Sequence, residues 1–176
     1  SMKPPRFSYH DPATLDEAVR LLDELDDAKV LAGGQSLLPM MNMRFVMPDH
    51  IIDLNNVSGL DEIHTNGEQI YIGAMTRQRA LLASSLLQIQ CPLITEALHQ
   101  VGHRATRNRG TLGGSICHLD TAADLPVVLA AHDGNIQVRS PNGERTIAMQ
   151  EFPAFYMSPA IEPNEMEIGC LLYTSD

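Results

Sequence analysis

The feature that most constrains the fold is the order helix, strand, glycine turn, helix and strand within the first 57 residues. Thr14 and Glu17 stand in a capping-box pattern, and apolar residues at helical spacing predict a helix from there to the acidic turn at Asp26. The elements predicted after it are a strand over 29–32, a turn at 33–34, a short helix over 37–44 and a strand over 50–54. This order is typical of a compact α/β unit.

The residues after 57 predict a second unit, built from hairpins and helices. Asn66-Gly67 is a strong signal for a two-residue hairpin turn, and the segment from Ser140 to Gly143 predicts another turn. Thr76 is the predicted N-cap of one helix, and a further helix follows Pro92. The remaining predicted elements are strands over 62–64, 69–75, 135–139 and 144–148 and a helix over 124–131.

Composition and charge exclude several classes of protein. The formal net charge is −10, which argues against a general nucleic-acid binder because phosphate backbones are bound by positive surfaces. No apolar run approaches the roughly 20 residues that span a bilayer, and the N-terminus lacks a signal-peptide layout, so we expect no membrane span and a cytoplasmic location.

The three cysteines are too widely spaced for a zinc or iron–sulfur framework, and their odd number argues against a disulfide framework. No metal site is therefore predicted.

Two glycine loops are the main candidates for ligand binding. They are Ala32-Gly33-Gly34-Gln35-Ser36 and Thr111-Leu112-Gly113-Gly114-Ser115. Glycine lets the backbone approach a ligand and turn its N–H groups inward, which makes an anion site without any lysine. One such loop alone is more often a tight turn, whereas two loops far apart in sequence can hold one pyrophosphate from both sides. Neither an HExxH zinc motif nor a GxSxG nucleophile motif accompanies them.

The loops and their flanking residues resemble the FAD-binding medium subunit of carbon monoxide dehydrogenase and its relatives among the molybdenum hydroxylases, including xanthine dehydrogenases. The matching segments run from Ala32 to Pro39, from Ile52 to Leu54, from Arg107 to Ser115 and from Ala122 to Pro126. The resemblance extends to about Ile168. It implies an α+β, two-lobed FAD-binding fold of the vanillyl-alcohol oxidase (PCMH-type) superfamily that lacks the C-terminal domain.

The resemblance also implies roles for individual residues. Backbone amides of both loops would bind the FAD pyrophosphate, and Ser36 and Ser115 would donate hydroxyl groups. Asp124 is assigned to a ribose hydroxyl, with a helix N-cap as the alternative. The predicted FAD-binding residues are Ala32, Gly33, Gly34, Gln35, Ser36, Leu37, Val101, Gly102, Ala105, Thr111, Leu112, Gly113, Gly114, Ser115, His118, Asp120 and Asp124. For His118 a packing role and for Asp120 a turn role are the alternatives.

The function that the resemblance implies is electron transfer. A molybdopterin large subunit would oxidise the substrate, an iron–sulfur small subunit would relay the electrons, and FAD on this chain would pass them to an acceptor. No catalytic side chain is needed for that role, and the isolated chain is expected to be inactive. Two alternatives remain open at this stage: a self-contained flavin oxidase, and a non-catalytic nucleotide-binding or assembly module.

The predicted domain limits are 2–57 for an N-terminal α/β lobe and 58–168 for a second α+β lobe, which we call the first and second lobes. Residues 169–176 do not continue the pattern of the related subunits and resemble translated sequencing-adapter sequence. We therefore expect them to be a non-native tail on a truncated reading frame. Loss of the C-terminal domain would remove part of the flavin pocket, so weak or absent FAD binding is expected.

Overall fold

A computed structural model describes residues 6–31, 48–99, 125–150 and 161–173, with the backbone alone for residues 125–127. The strands in these ranges are β1 (Ser8–His10), β2 (Ala28–Leu31), β3 (His50–Asp53), β4 (Ile63–Thr65), β5 (Gln69–Gly73), β6 (Asn135–Ser140), β7 (Gly143–Ala148) and β8 (Met166–Tyr173). The helices are α1 (Leu15–Glu24), α2 (Gln78–Ala83), α3 (Ser85–Gln90), α4 (Pro92–His99) and α5 (Leu125–Ala131). None of these helices is long and apolar enough to cross a membrane.

The first lobe contains a three-stranded parallel sheet with the order β1-β3-β2. Helix α1 begins as the capping box predicts, because the Thr14 hydroxyl accepts a hydrogen bond from the Glu17 amide at 3.2 Å. Its buried side chains include Val19 and Leu22, which pack in one cluster with Ile52 of β3. The helix therefore covers one face of the sheet, and all three strands end at the same edge.

The second lobe contains a five-stranded antiparallel sheet with the order β4-β5-β8-β6-β7. Both predicted hairpins are confirmed, and Gly67 and Gly143 adopt the positive φ values of 109° and 125° that turns require of glycine. Side chains from the sheet and its helices form one buried cluster, which consists of Ile70, Ile72, Leu81, Leu87, Cys91, Ile94, Leu98, Leu129, Ile136, Val138, Ile147, Met149, Cys170 and Leu172.

Strand β8 belongs to two cores. Met166 and Ile168 pack with α1 and β3 in the core of the first lobe, whereas Cys170 and Leu172 lie in the core of the second lobe. The change of face follows from an irregularity in the pairing with β6, where the register shifts between Gln137 and Val138. One strand thus joins the hydrophobic interiors of both lobes.

The same strand crosses the domain limit that the sequence predicts at residue 168. Residues 169–173, which were expected to be a tail, continue β8 and pair with β5 and β6 in the middle of the sheet. The sheet of the second lobe therefore includes residues 169–173, and the domain limits stay predictions. Their non-native origin stays a prediction.

Several local expectations need correction. The N-cap of α2 is Arg77 rather than Thr76, since Thr76 is buried and its amide donates to the carbonyl of Gly73 at 3.1 Å. Strand β1 and helix α3 were not predicted, because each is short and lacks a periodic pattern. The helix predicted over 37–44 lies outside the described residues.

Candidate functional site

The predicted FAD-binding residues all lie outside the described residues, within the segments 32–47 and 100–124. The described residues nevertheless show where each segment joins the fold. The first segment follows β2 at Leu31 and ends before Pro48. The second follows α4 at His99 and ends where α5 begins at Leu125. The elements at these four attachment points are β2, the residues that lead from Pro48 into β3, α4 and α5.

Strand β2, which precedes the first glycine segment, ends at the carboxyl edge of the parallel sheet. Leu31, the last residue of β2, lies in register with Asp53 of β3. Its carbonyl oxygen accepts a hydrogen bond from the Leu54 amide at 3.0 Å. Ligands of open parallel sheets bind beyond this edge, where loops leave the strands. Strand β2 thus ends, at Leu31, at an edge suited to ligand binding.

A buried carboxylate organises the polar contacts at this edge. Asp53 is 8% exposed, and its Oδ1 accepts hydrogen bonds from the backbone amide and the Nδ2 of Asn55, at 2.9 and 2.6 Å. Its Oδ2 accepts the hydroxyl of Tyr9, which comes from the neighbouring strand β1. That hydrogen bond, together with partial burial, raises the pKa of Tyr9 to about 12. The Asp53 side chain therefore connects β3 to β1 by a hydrogen bond.

The network continues into the second lobe. The Oδ1 of Asn55 accepts a hydrogen bond from the Nη2 of Arg77 at 2.7 Å. Both side chains line a cleft of about 330 Å³ between the lobes, whose walls are formed by Leu54, Asn55, Val57, Asp61, Met75, Arg77, Arg79 and Ala80. The lining includes two guanidinium groups and one carboxylate, so it carries a formal charge of +1 on a chain whose net charge is −10.

The second glycine segment is attached to packed helices. Ile94 and Leu98 of α4 and Leu129 of α5 are each fully buried in the core of the second lobe. The two ends of the 100–124 segment are consequently joined to helices that share one hydrophobic cluster. Such packing restrains the attachment points, because burial of large apolar side chains stabilises the helices that carry them.

Further polar contacts hold the lobes together away from this edge. Arg139 of β6 forms an ion pair with Asp16 of α1, and Asn164 donates to Asp23 at 3.2 Å. Both contacts join α1 to elements of the second lobe. Together with the shared core at β8, they fix the first lobe against the second at several separate points.

Sequence reasoning missed Tyr9, Asn55 and Arg77 as polar residues of this edge. A partial signal was present, since an Asp followed two residues later by Asn at a strand end is typical of a side-chain-to-backbone turn. The partners Tyr9 and Arg77 carry no such signal, because they are 44 and 24 residues away from Asp53 in the chain and meet it or its neighbour only after folding.

Comparisons with known proteins agree with this architecture. The family model described as the FAD binding domain in molybdopterin dehydrogenase matches residues 5–168. The 6-hydroxypseudooxynicotine dehydrogenase complex subunit alpha of Paenarthrobacter nicotinovorans is 43% identical over 166 residues, which are 94% of this chain and 56% of that protein. The carbon monoxide dehydrogenase medium chain of Hydrogenophaga pseudoflava is 42% identical over 168 residues, which are 95% of this chain and 58% of that protein.

Solved structures of carbon monoxide dehydrogenase and quinoline 2-oxidoreductase also resemble this chain. The carbon monoxide dehydrogenase of Hydrogenophaga pseudoflava that lacks the Mo-pyranopterin moiety matches with a TM-score of 0.96 at 40% identity, over 99% of this chain and 61% of that one. Quinoline 2-oxidoreductase of Pseudomonas putida 86 matches with a TM-score of 0.95 at 34% identity, over 99% and 61% of the two chains. This chain thus spans 56–61% of the length of the chains that it matches here. It belongs to the family of FAD-binding domains of molybdopterin dehydrogenases.

Proposed function

We propose that this chain is the FAD-binding part of an electron-transfer subunit in a molybdenum hydroxylase, of the medium-chain type found in carbon monoxide dehydrogenase. The observation that carries this proposal is the family match over residues 5–168. The fold supports it, because the first glycine segment begins at the carboxyl edge of a parallel sheet. Bound FAD would supply the redox chemistry, and the chain would bind and orient it.

The two glycine loops are the proposed pyrophosphate site. Backbone amides around Gly33 and Gly113 would donate to the phosphate oxygens, and glycine is suited to this because a side chain would keep the backbone away from the ligand. Ser36 and Ser115 would add hydroxyl donors, and Asp124 would accept from a ribose hydroxyl. The described residues support this by attaching both segments to well-packed elements.

The proposed partners are an iron–sulfur small subunit and a molybdopterin large subunit in a hetero-oligomer. Support comes from the names of two relatives, one a medium chain and the other a subunit of a dehydrogenase complex. The electrons would pass from the iron–sulfur clusters through FAD to an external acceptor. Membership of the vanillyl-alcohol oxidase (PCMH-type) superfamily, a cytoplasmic location and the division into lobes at residue 57 belong to the same proposal.

An FAD titration tests the cofactor proposal. We expect purified chain to quench flavin fluorescence weakly by itself and more strongly when the two partner subunits are supplied. A Gly113→Val substitution should raise the FAD dissociation constant roughly tenfold or more, because the added side chain prevents close approach of the backbone. The control is Ile89→Ala on α3, whose side chain is 79% exposed and lies in neither glycine segment.

The outcomes separate the rival functions. Bound flavin that is bleached by dithionite and reoxidised by an external acceptor in the assembled complex supports the electron-transfer role. Turnover of an organic substrate by this chain and FAD alone would instead support a self-contained flavin oxidase. Failure to bind FAD even with both partner subunits present would overturn the proposal and leave a non-catalytic assembly role.

A further inference from the structure

A chain of hydrogen bonds joins the carboxyl edge of the first lobe to the second lobe. It runs from Tyr9 to Asp53, from Asp53 to Asn55, and from Asn55 to Arg77. We propose that Asn55 is a positioning residue, which holds Leu31, the residue from which the first glycine segment continues, in a fixed relation to the second lobe through Asp53 and Arg77. The inference rests on the proposed FAD-binding function of that segment.

The geometry connects Asn55 to the glycine segment in two short steps. Asp53, the acceptor for Asn55, lies directly opposite Leu31 in the parallel register. Leu54, between Asp53 and Asn55, donates its amide to the Leu31 carbonyl at 3.0 Å. Residue 32 is the next in the chain. A displacement of Asn55 would therefore be transmitted to Leu31, the residue directly before the glycine segment.

The chemistry of the amide fits this role. An asparagine side chain both donates and accepts, so Asn55 can donate to a carboxylate and accept from a guanidinium at the same time. An aspartate at this position would place a second carboxylate against Asp53, and an alanine would make neither contact. Both hydrogen bonds involve a charged partner, which makes them stronger than bonds between neutral groups.

The chain offers a matched control at the next residue. Asn56 also donates its Nδ2 to a carboxylate, that of Asp11, at 2.9 and 3.0 Å. That contact joins two residues of the first lobe and leaves the Asn55–Arg77 hydrogen bond in place. Asn56→Ala therefore removes the same side chain and a comparable hydrogen bond without interrupting the connection between the lobes.

Hydrogen exchange on the full chain tests the inference without requiring FAD. The readout is the Leu54 amide, which is hydrogen-bonded to Leu31 and belongs to a residue that is 3% exposed. In Asn55→Ala we expect this amide to exchange roughly tenfold faster than in the unsubstituted chain. In Asn56→Ala it should exchange at the unsubstituted rate, and the Val138 amide in β6 should keep its rate in both variants.

A second substitution distinguishes positioning from a general loss of stability. Arg77→Met should accelerate Leu54 exchange, and the double variant Asn55→Ala/Arg77→Met should accelerate it by less than the product of the two single effects, because both changes interrupt one chain of contacts. Multiplied effects in the double variant would overturn the inference, as would equal acceleration at Leu54 and Val138. An unchanged Leu54 rate in Asn55→Ala would also overturn it.

FAD binding by the same variants then tests the link to function. In the assembled complex, Asn55→Ala should raise the FAD dissociation constant roughly tenfold relative to Asn56→Ala. Faster exchange with an unchanged FAD affinity would overturn the role of Asn55 in the cofactor site. If the unsubstituted complex binds no FAD, the proposed function fails, whereas the exchange data still decide whether Asn55 connects the lobes.

Discussion

Truncation of Leu98 should destabilise the chain strongly. This residue lies in α4, the helix that precedes the second glycine segment. Leu98 is fully buried in the core of the second lobe. Leu98→Ala removes three carbon atoms, each worth about 0.8 kcal/mol of hydrophobic transfer, which gives about 2.4 kcal/mol. The cavity left behind raises the expected loss to about 3–4 kcal/mol.

Leu93 provides the matched control on the same helix. It is 47% exposed, so Leu93→Ala removes the same three carbon atoms from a site that water already reaches. About half of the transfer free energy applies and no closed cavity forms, while the better helix propensity of alanine offsets a few tenths of a kcal/mol. The expected loss in the free energy of unfolding is therefore below about 1 kcal/mol.

Urea unfolding followed by circular dichroism measures both losses, and thermal unfolding provides a second assay. For a chain of this size, 1 kcal/mol corresponds to a shift in Tm of about 2–4 °C, so Leu98→Ala should lower the Tm by roughly 10 °C. Equal destabilisation by the two variants would refute the burial assigned to α4. A loss below about 1 kcal/mol in Leu98→Ala would refute it as well.

Three further predictions concern backbone contact and protonation. Gly73→Ala should cost about 2–3 kcal/mol in urea unfolding, because its Cβ would lie 2.3 Å from a backbone carbonyl oxygen; a loss below about 0.5 kcal/mol would contradict this. Hydrogen bonds from Arg145 lower the pKa of Glu165 from 4.5, so its stabilisation is present above that pH and is lost as the pH falls through the folded value. The stability difference between wild type and Glu165→Gln should accordingly shrink between about pH 7 and pH 3, and a constant difference would refute the pairing. The hydrogen bond to Asp53 raises the pKa of Tyr9 to about 12, so roughly one tenth of the Tyr9 side chain should be ionised at about pH 11. The measurement is the difference in phenolate absorbance between the unsubstituted chain and Tyr9→Phe. Nearly full ionisation at that pH would contradict the contact.

The parts of the fold that local sequence determines were predicted well. The capping box at Thr14 predicted the start of α1, and Asn66-Gly67 predicted the β4–β5 hairpin, because each signal and its structural consequence lie within four residues. Thr76 shows the limit of such signals. Its hydroxyl suits an N-cap, but the tertiary fold buries the residue and begins the helix one position later.

Contacts between distant segments were not predictable in the same way. Strand β1 has three residues and no periodicity, and it is a strand only because β3, about 40 residues later, pairs with it. The contact between Asn55 and Arg77 likewise forms only when the two lobes meet. The glycine loops were recognised from their sequence and resemblance, and their residue roles stay predictions because both loops lie outside the described residues.

Strand β8 is a complete central strand, although residues 169–176 were predicted to depart from the pattern of the related subunits. That part of the strand needs a small residue at Gly169, where an added Cβ would lie 2.5 Å from the hydroxyl oxygen of Tyr71. It also needs apolar side chains at Cys170 and Leu172, both fully buried. These requirements concern size and polarity rather than identity. Residues 169–173 satisfy both requirements, so β8 pairs with β5 and β6 along its whole length.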